Sequence, residues 1–345
     1  MPRPKKDAPP AKQPKRVTLQ DIADIAGVNK MVVSNALNDT RSVAPATRER
    51  IKQIARDLNY VPNYAARALT TGRTGIVAVL IGGPSEYFYA SMIDLLEQCT
   101  RADNFNLLLI RTPNEVKDLI NATGNVRVDG AIAVDMLGLV QEFQSHSHIP
   151  CVSIATIKRD YVDNVITDLS SSVEEALRLM MANGRRRIAY LATGWTMARE
   201  AEVRAGTYYR VMRQEGREPE MIDVSTDILD VVGINFKAYI EQHGCPDALF
   251  CQNDETAITV FKVLRDSGYR VPDDVLLVGC DGQRHMRFFD PPLSTIVQPL
   301  EEMCIKAWQF LLRRIEQPNI PHQEAVFQGK LVVTRSLVPN ASTGD

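Results

Sequence analysis

From Ile76 onward, short apolar runs alternate with helical segments, and this alternation constrains the fold more than any other feature of the chain. The runs IVAVLI (76–81), FNLLLI (105–110), GAIAV (130–134), CVSIA (151–155) and NVIT (164–167) form one series, with a helix over about 86–102. A second series has helix 170–183, RIAYLA (187–192), helix 198–215, IDVS (222–225), helix 229–243, ALFC (248–251), helix 255–267 and VLLVGC (275–280). Runs that are apolar at nearly every position predict strands buried on both faces, as in parallel βαβ units. Two such series predict two similar α/β lobes with parallel sheets. Helix 300–316 and strands near 323–328 and 330–335 then cross back between them. A ligand belongs in the cleft at the carboxyl ends of the strands.

Ahead of this body lies a different texture. Residues 18–38, TLQDIADIAGVNKMVVSNALN, read as two short amphipathic helices joined by a glycine turn. Leu19, Ile22, Ala23 and Ile25 sit at helical spacing, and Asp21 and Asp24 face out. Gly27 takes the left-handed conformation that lets the chain turn. Asn29 caps a second helix that buries Val32, Val33, Ala36 and Leu37. A third helix starts at Pro45 and presents Ile51, Ile54, Ala55 and Leu58 on one face. This is the layout of a helix-turn-helix, whose second helix enters the DNA major groove. A short helical segment, NYAARALTTG, follows Pro62.

Charge agrees with this division. Residues 1–75 carry 14 Lys and Arg against 6 Asp and Glu, and the remaining 270 residues carry 26 against 36. A basic head on an acidic body implies that only the head meets a polyanion. The six cysteines (99, 151, 245, 251, 280 and 304) form no C-x-x-C pair and read as small buried hydrophobes in a reducing cytoplasm. The Pro- and Lys-rich start lacks the apolar core of a signal peptide, and no apolar run approaches a membrane span. The chain holds no Walker lysine loop, no G-x-S-x-G and no H-E-x-x-H, so an enzyme is not expected. IGGPSE (81–86) lacks dinucleotide-loop spacing, and His146-x-His148 reads as polar loop rather than a metal site.

Nine motifs in fixed order carry a family resemblance. They are VTLQDIADIAGV (17–28), VSNALN (33–38), NYVPNYAARAL (59–69), VDGAI (128–132), GRRRIAYL (184–191), RAG (204–206), NDETA (253–257), VPDDVLLVGCDG (271–282) and PPLSTIVQP (291–299). From about Val17 to Leu337 the chain resembles the lactose-repressor/galactose-repressor (LacI/GalR) family of bacterial transcription regulators. Residues 1–16, rich in Pro, Lys and Ala, read by composition as a disordered basic tail, either an inert solubilising segment or a phosphate-contacting arm. The resemblance implies a helix-turn-helix domain (17–61), a hinge helix and linker (62–74) and an effector domain (75–337), followed by a tail (338–345). Within the effector domain one lobe takes about 75–168 and 298–328, the other about 169–297 and 329–337. It implies a cytoplasmic homodimer on a pseudo-palindromic operator, working as a repressor at the nucleoid. A small-molecule effector, a sugar or sugar derivative, sits between the lobes, and no other cofactor is implied. The 338–345 tail has no heptads to direct tetramerisation.

By the same resemblance, Lys30, Met31 and Asn35 fall at base-reading positions, where Lys donates to guanine and Met meets a thymine methyl. Asn29, Val32 and Asn35 depart from the Ser, Thr and Arg usual there, which leaves the operator sequence open. Thr18, Gln20 and Asn38 contact the DNA backbone, which positions without specifying, and Asn29 and Ser34 belong to the same DNA-binding set. Asn63, Ala66, Arg67 and Leu69 belong to the hinge, with Leu69 wedged into the minor groove. For the effector, Arg204, Asn253, Asp281 and Gln298 supply polar contacts, while Tyr87, Phe88 and Tyr89 in the first βα loop offer rings to stack on the ligand, with one of the three left to pack into the lobe interface or dimer. Asp254 reads as a helix N-cap. Arg284, His285 and Arg287 in the 282–292 loop leave an anionic ligand open against a plain surface loop. A purine or a protein effector also stays open. A sugar-binding transport protein would share the two-lobed fold, but not the helix-turn-helix.

Overall fold

The computed structural model describes residues 17–37, 43–61, 72–83, 86–120, 127–135, 140, 141, 143, 148–193, 202–224 and 228–338. The chain divides into two units, residues 1–72 and 73–345.

The first unit contains helices α1 (Leu19–Ala26), α2 (Lys30–Leu37) and α3 (Pro45–Asp57). Thr18 opens α1 with a capping box: its hydroxyl accepts from Asp21 N, and the Asp21 carboxylate accepts from Thr18 N at 2.7 Å. Gly27 closes α1 at φ 63° and ψ 34°, a left-handed geometry that costs a side chain dearly. Asn29 Oδ1 then accepts from Val32 N at 2.9 Å, starting the next helix two residues later. Ile22, Ala23, Ala26, Val33, Ala36, Val43, Ile51 and Ala55 form the buried core. Ile25 does not join it and is 60% exposed. The helical repeat carries the buried stripe from 22 and 23 to 26, so Ile25 falls outside it.

The second unit contains two six-stranded sheets. The first comprises β1 (Ile76–Leu80), β2 (Asn106–Ile110), β3 (Gly130–Val134), β4 (Cys151–Ala155), β5 (Asp163–Asp168) and β11 (Glu324–Gln328), in spatial order β11-β5-β4-β3-β1-β2. All of its strand pairs are parallel. The second comprises β6 (Ile188–Ala192), β7 (Glu220–Asp223), β8 (Ala248–Cys251), β9 (Leu276–Cys280), β10 (Ser294–Val297) and β12 (Lys330–Val332), in order β12-β10-β9-β8-β6-β7. Only the β10–β12 pair is antiparallel. The central strands β3, β4, β6, β8 and β9 are buried at every position, as their unbroken apolar runs require. Strand β7 starts two residues earlier than the apolar pattern suggests, because an edge strand buries little and leaves a weak pattern.

Helices cover the sheets: α4 (Tyr87–Ala102), α5 (Pro113–Ile120), α6 (Ser170–Ala182), α7 (Val203–Gln214), α8 (Leu229–His243), α9 (Asp254–Asp266) and α10 (Leu300–Glu316). Though late in sequence, α10 packs Met303, Cys304, Ala307, Trp308 and Leu311 into the core of the first sheet. The chain crosses between the lobes near 168–170, 297–300 and 328–330. At the last crossing Gly329 N donates to Asp168 O at 2.9 Å, and a Cβ on Gly329 would lie 2.5 Å from Leu169 Cδ2. That close approach is why glycine stands there.

Candidate functional site

In each lobe the first strand of its series has neighbours on both sides that lead in opposite directions through the sequence. Such a switch point opens a crevice at the strand carboxyl ends. The residues that follow the strands line a cavity of about 270 Å³. Asp135 follows β3, Thr156 follows β4, Thr193 follows β6, Asn253 stands two residues beyond β8, Asp281 follows β9 and Gln298 follows β10. The volume is near the lower end of small-ligand sites.

Arg204, in the first turn of α7, reaches this cavity with its charge already matched. Its Nε donates to Glu202 Oε1 at 2.8 Å and one terminal nitrogen donates to Gln252 O at 2.7 Å. Glu202 also accepts from the backbone N–H of Arg204 and Ala205, both at 3.0 Å, and so caps the helix that carries the arginine. Asp281 accepts from Gln298 Nε2 at 2.8 Å. Its backbone stands at φ 110°, and that of Asp135 at φ 51°. Non-glycine residues held in this region mark sites where geometry is imposed by function or by surrounding packing.

Burial dominates the protonation of both acids. It raises Asp281 to about 7; Arg204 and the Gln298 hydrogen bond oppose it, and Asp135 adds to it. Burial likewise raises Asp135 to about 6, with Arg204 opposing and Glu202 adding. The Asp135 carboxylate has no hydrogen-bond donor among the described residues. Asp135 carries no signal distinct from Asp281 in the sequence: each is an acid directly after a buried apolar strand.

The other expected contacts divide. Asn253 lines the cavity and is itself the N-cap of α9, accepting from Thr256 N at 2.9 Å. Asp254 is therefore not that cap. Its fully buried carboxylate accepts from Gln283 N at 2.6 Å and from Thr295 Oγ1 at 2.7 Å, anchoring the turn that presents Asp281. Residues 87–89 form the first turn of α4 rather than a loop. Of the three aromatic candidates, Phe88 and Tyr89 line the cavity and Tyr87 does not. Glu255 Oε1 accepts from Tyr87 N at 2.9 Å, and the Tyr87 ring meets His285 edge-on at 6.1 Å, so this residue bridges the two lobes. Arg284, His285 and Arg287 form a short 3-10 turn that does not line the cavity, which removes the support for an anionic ligand.

On the helix-turn-helix, Lys30 and Met31 occupy the exposed first turn of α2, with Met31 68% exposed. Thr18 and Asn29 use their side-chain oxygens as helix caps. Gln20 Nε2 donates to Asp24 Oδ1 at 2.7 Å, and Ser34 and Asn35 are half-buried. Asn38, Asn63, Ala66, Arg67 and Leu69 lie outside the described residues, as do residues 1–16, most of the hinge segment, His146 and most of the C-terminal tail.

Comparison with known proteins bears on this combination. Residues 18–63 match the family described as bacterial regulatory proteins, lacI family, and residues 177–337 match a periplasmic binding protein-like domain. The HTH-type transcriptional repressor PurR of Vibrio campbellii is 30% identical over 335 residues, covering 93% of this chain and 98% of that protein. The chain belongs to the lacI family. Among solved structures, a complex of the transcriptional regulator CelR with cellobiose is 26% identical, with TM-score 0.64, and covers 93% of this chain and all of the other. The lac repressor dimer bound to operator and an anti-inducer has TM-score 0.74 at 21% identity, over 94% and 99% of the two chains, and shares the fold. This lacI-family member is a DNA-binding transcription regulator whose action is set by an effector, not an enzyme. No helix among the described residues is long and apolar enough to cross a membrane.

Proposed function

We propose that the protein is a repressor that binds a pseudo-palindromic operator as a homodimer in the bacterial cytoplasm, at the nucleoid, and that a hydroxyl-rich small molecule held between the lobes sets its operator affinity. The observation that carries the effector half is the cavity wall. Asp135 and Asp281, at the ends of strands from opposite sheets, stand with Arg204, Asn253 and Gln298 around one space. Carboxylate and amide acceptors facing a guanidinium suit ligand hydroxyls, which donate and accept at once. A ligand touching both lobes favours one arrangement of them, and coupling of this kind is typically about 1–3 kcal/mol. The regulator CelR, solved with cellobiose, supports a carbohydrate.

The DNA half assigns Lys30, Met31 and Asn35 to base edges, and Thr18, Gln20 and Asn38 to positioning contacts, with Asn29 and Ser34 on the same DNA-binding face. Asn63, Ala66, Arg67 and the Leu69 wedge are assigned to the hinge. The effector domain is taken as 75–337, the reading domain as 17–61 and the segment between them as the hinge. A thermal-shift screen of sugars, sugar acids and purines on the purified protein tests the effector reading. A cleft ligand raises the melting temperature by mass action and changes operator affinity in a gel-shift titration. Retention of that response in Asp281→Ala refutes the cleft assignment.

A further inference from the structure

We infer that the effector is a small polyhydroxylated molecule carrying a protonated amine, seated between the Asp135 and Asp281 carboxylates. This rests on the reading of the cleft as the effector site and names the ligand class of that site. The carboxylates of Asp135 and Asp281 stand on the cavity wall, and the only cation there among the described residues is Arg204. The Arg204 charge is already matched by Glu202, whose side chain is 5% exposed and lies 2.8 Å from the guanidinium. Among the described residues, Asp135 and Asp281 are therefore left without a cation of their own.

Asp135 gives that charge a location. Its carboxylate lacks a donor among the described residues, whereas Asp281 has Gln298. A recessed carboxylate without a donor carries a desolvation cost that its ligand must offset. A hydroxyl donates one neutral hydrogen bond, whereas an ammonium donates charge-assisted bonds that are shorter and stronger. Phe88 and Tyr89, packed edge to face with centroids 5.3 Å apart, add aromatic surface to the same wall, and a ring face turned to the ligand favours a cation. Sugar acids and phosphorylated sugars meet like charge here.

Matched series of the full-length protein with D-glucose, D-glucosamine and D-gluconate, and the corresponding galactose and mannose series, test this by calorimetric titration at pH 7.5. In at least one series the amine is expected to bind about tenfold tighter than its neutral parent, the difference between a charge-assisted and a neutral hydrogen bond. The acid is expected not to bind. In Asp135→Asn the ratio of amine to neutral affinity is expected to fall to about one. This variant keeps the fold because asparagine tolerates the local backbone and relieves a buried charge. A wild-type protein that answers to none of the amines overturns the inference. So does a neutral or acidic member that binds as tightly as its amine, and so does saturation by calcium or magnesium chloride alone. The two readings fail differently. Neutral-sugar binding that Asp281→Ala abolishes, without an amine preference, removes the charge inference and keeps the cleft. Amine binding indifferent to both Asp281→Ala and Asp135→Asn removes the cleft assignment itself.

Discussion

At the residue scale the protein separates charges that hold the fold from charges kept for a ligand. Asp163 and Arg314 are the first kind. Arg314 donates to both Asp163 oxygens, at 3.0 and 2.6 Å, and its remaining hydrogens go to the carbonyls of Pro318, Ile320 and Pro321. Gln323 N completes the Asp163 shell at 2.7 Å. Because the Arg314 guanidinium and the Asp163 carboxylate are both fully paired, removing one strands the other. Arg314→Met is expected to lower unfolding free energy by roughly 3–5 kcal/mol in urea titration, the cost of an uncompensated buried charge. Asp135 and Asp281 are the second kind. Their folded values, about 6 and about 7, lie above the 3.8 of an unperturbed aspartate, so the folded protein holds protons that the unfolded chain has released. Stability from these groups is therefore highest below pH 4 and declines as pH rises towards 7. The melting temperature of Asp135→Asn/Asp281→Asn relative to the wild type is expected to rise between pH 5 and pH 7.5 in the absence of effector. A flat difference refutes the assignment.

At the scale of elements, the caps show local sequence acting without help. Thr18, Gly27 and Asn29 delimit two helices within twelve residues, each by a contact that spans at most four positions. Asn29→Ala is expected to cost about 0.5–2 kcal/mol in thermal unfolding, as the loss of an N-cap does elsewhere. Met31→Ala is expected to leave the melting temperature within a degree or so, because the side chain is exposed, while weakening operator binding in a gel-shift titration. Equal operator affinity would remove Met31 from the reading face. The first turn of α4 was less legible. Nothing local distinguishes Tyr87 from Phe88 and Tyr89. The direction of the helix over its sheet turns the latter two to the cavity and leaves the Tyr87 backbone N–H for Glu255 of the other lobe.

At the scale of the molecule, ligand control requires that both lobes answer to one event. Three crossings tie the lobes together, and Glu255 and His285 meet Tyr87 across the cleft. Glu255→Ala is expected to shift effector affinity with little change in thermal stability, since it removes a single contact that joins one lobe to the other. An unchanged dissociation constant would show that the contact plays no part in closure. The proposed wedge belongs to this scale too. Leu69→Ala is expected to bind operator more weakly and bend it less in a circular-permutation gel assay.

The fold class was legible in the chain because parallel βαβ units write themselves as dense apolar runs at regular spacing, and the helix-turn-helix as a capped, glycine-broken amphipathic pair. Each of those signals comes from contacts close in sequence or from burial that a single strand declares by itself. The position of Asp281 after a buried strand was readable for the same reason. The sequence could not show that Asp135, 146 residues earlier, shares its cavity, that Asp254 anchors the turn instead of capping a helix, or that Ile25 faces solvent. Those outcomes depend on which strands become neighbours and which lobe faces which, and the pairing of distant segments is decided by packing in three dimensions. The charge left on the cavity wall, once Glu202 has matched Arg204, belongs to that second category. It is a property of the folded cleft and not of any one stretch of chain.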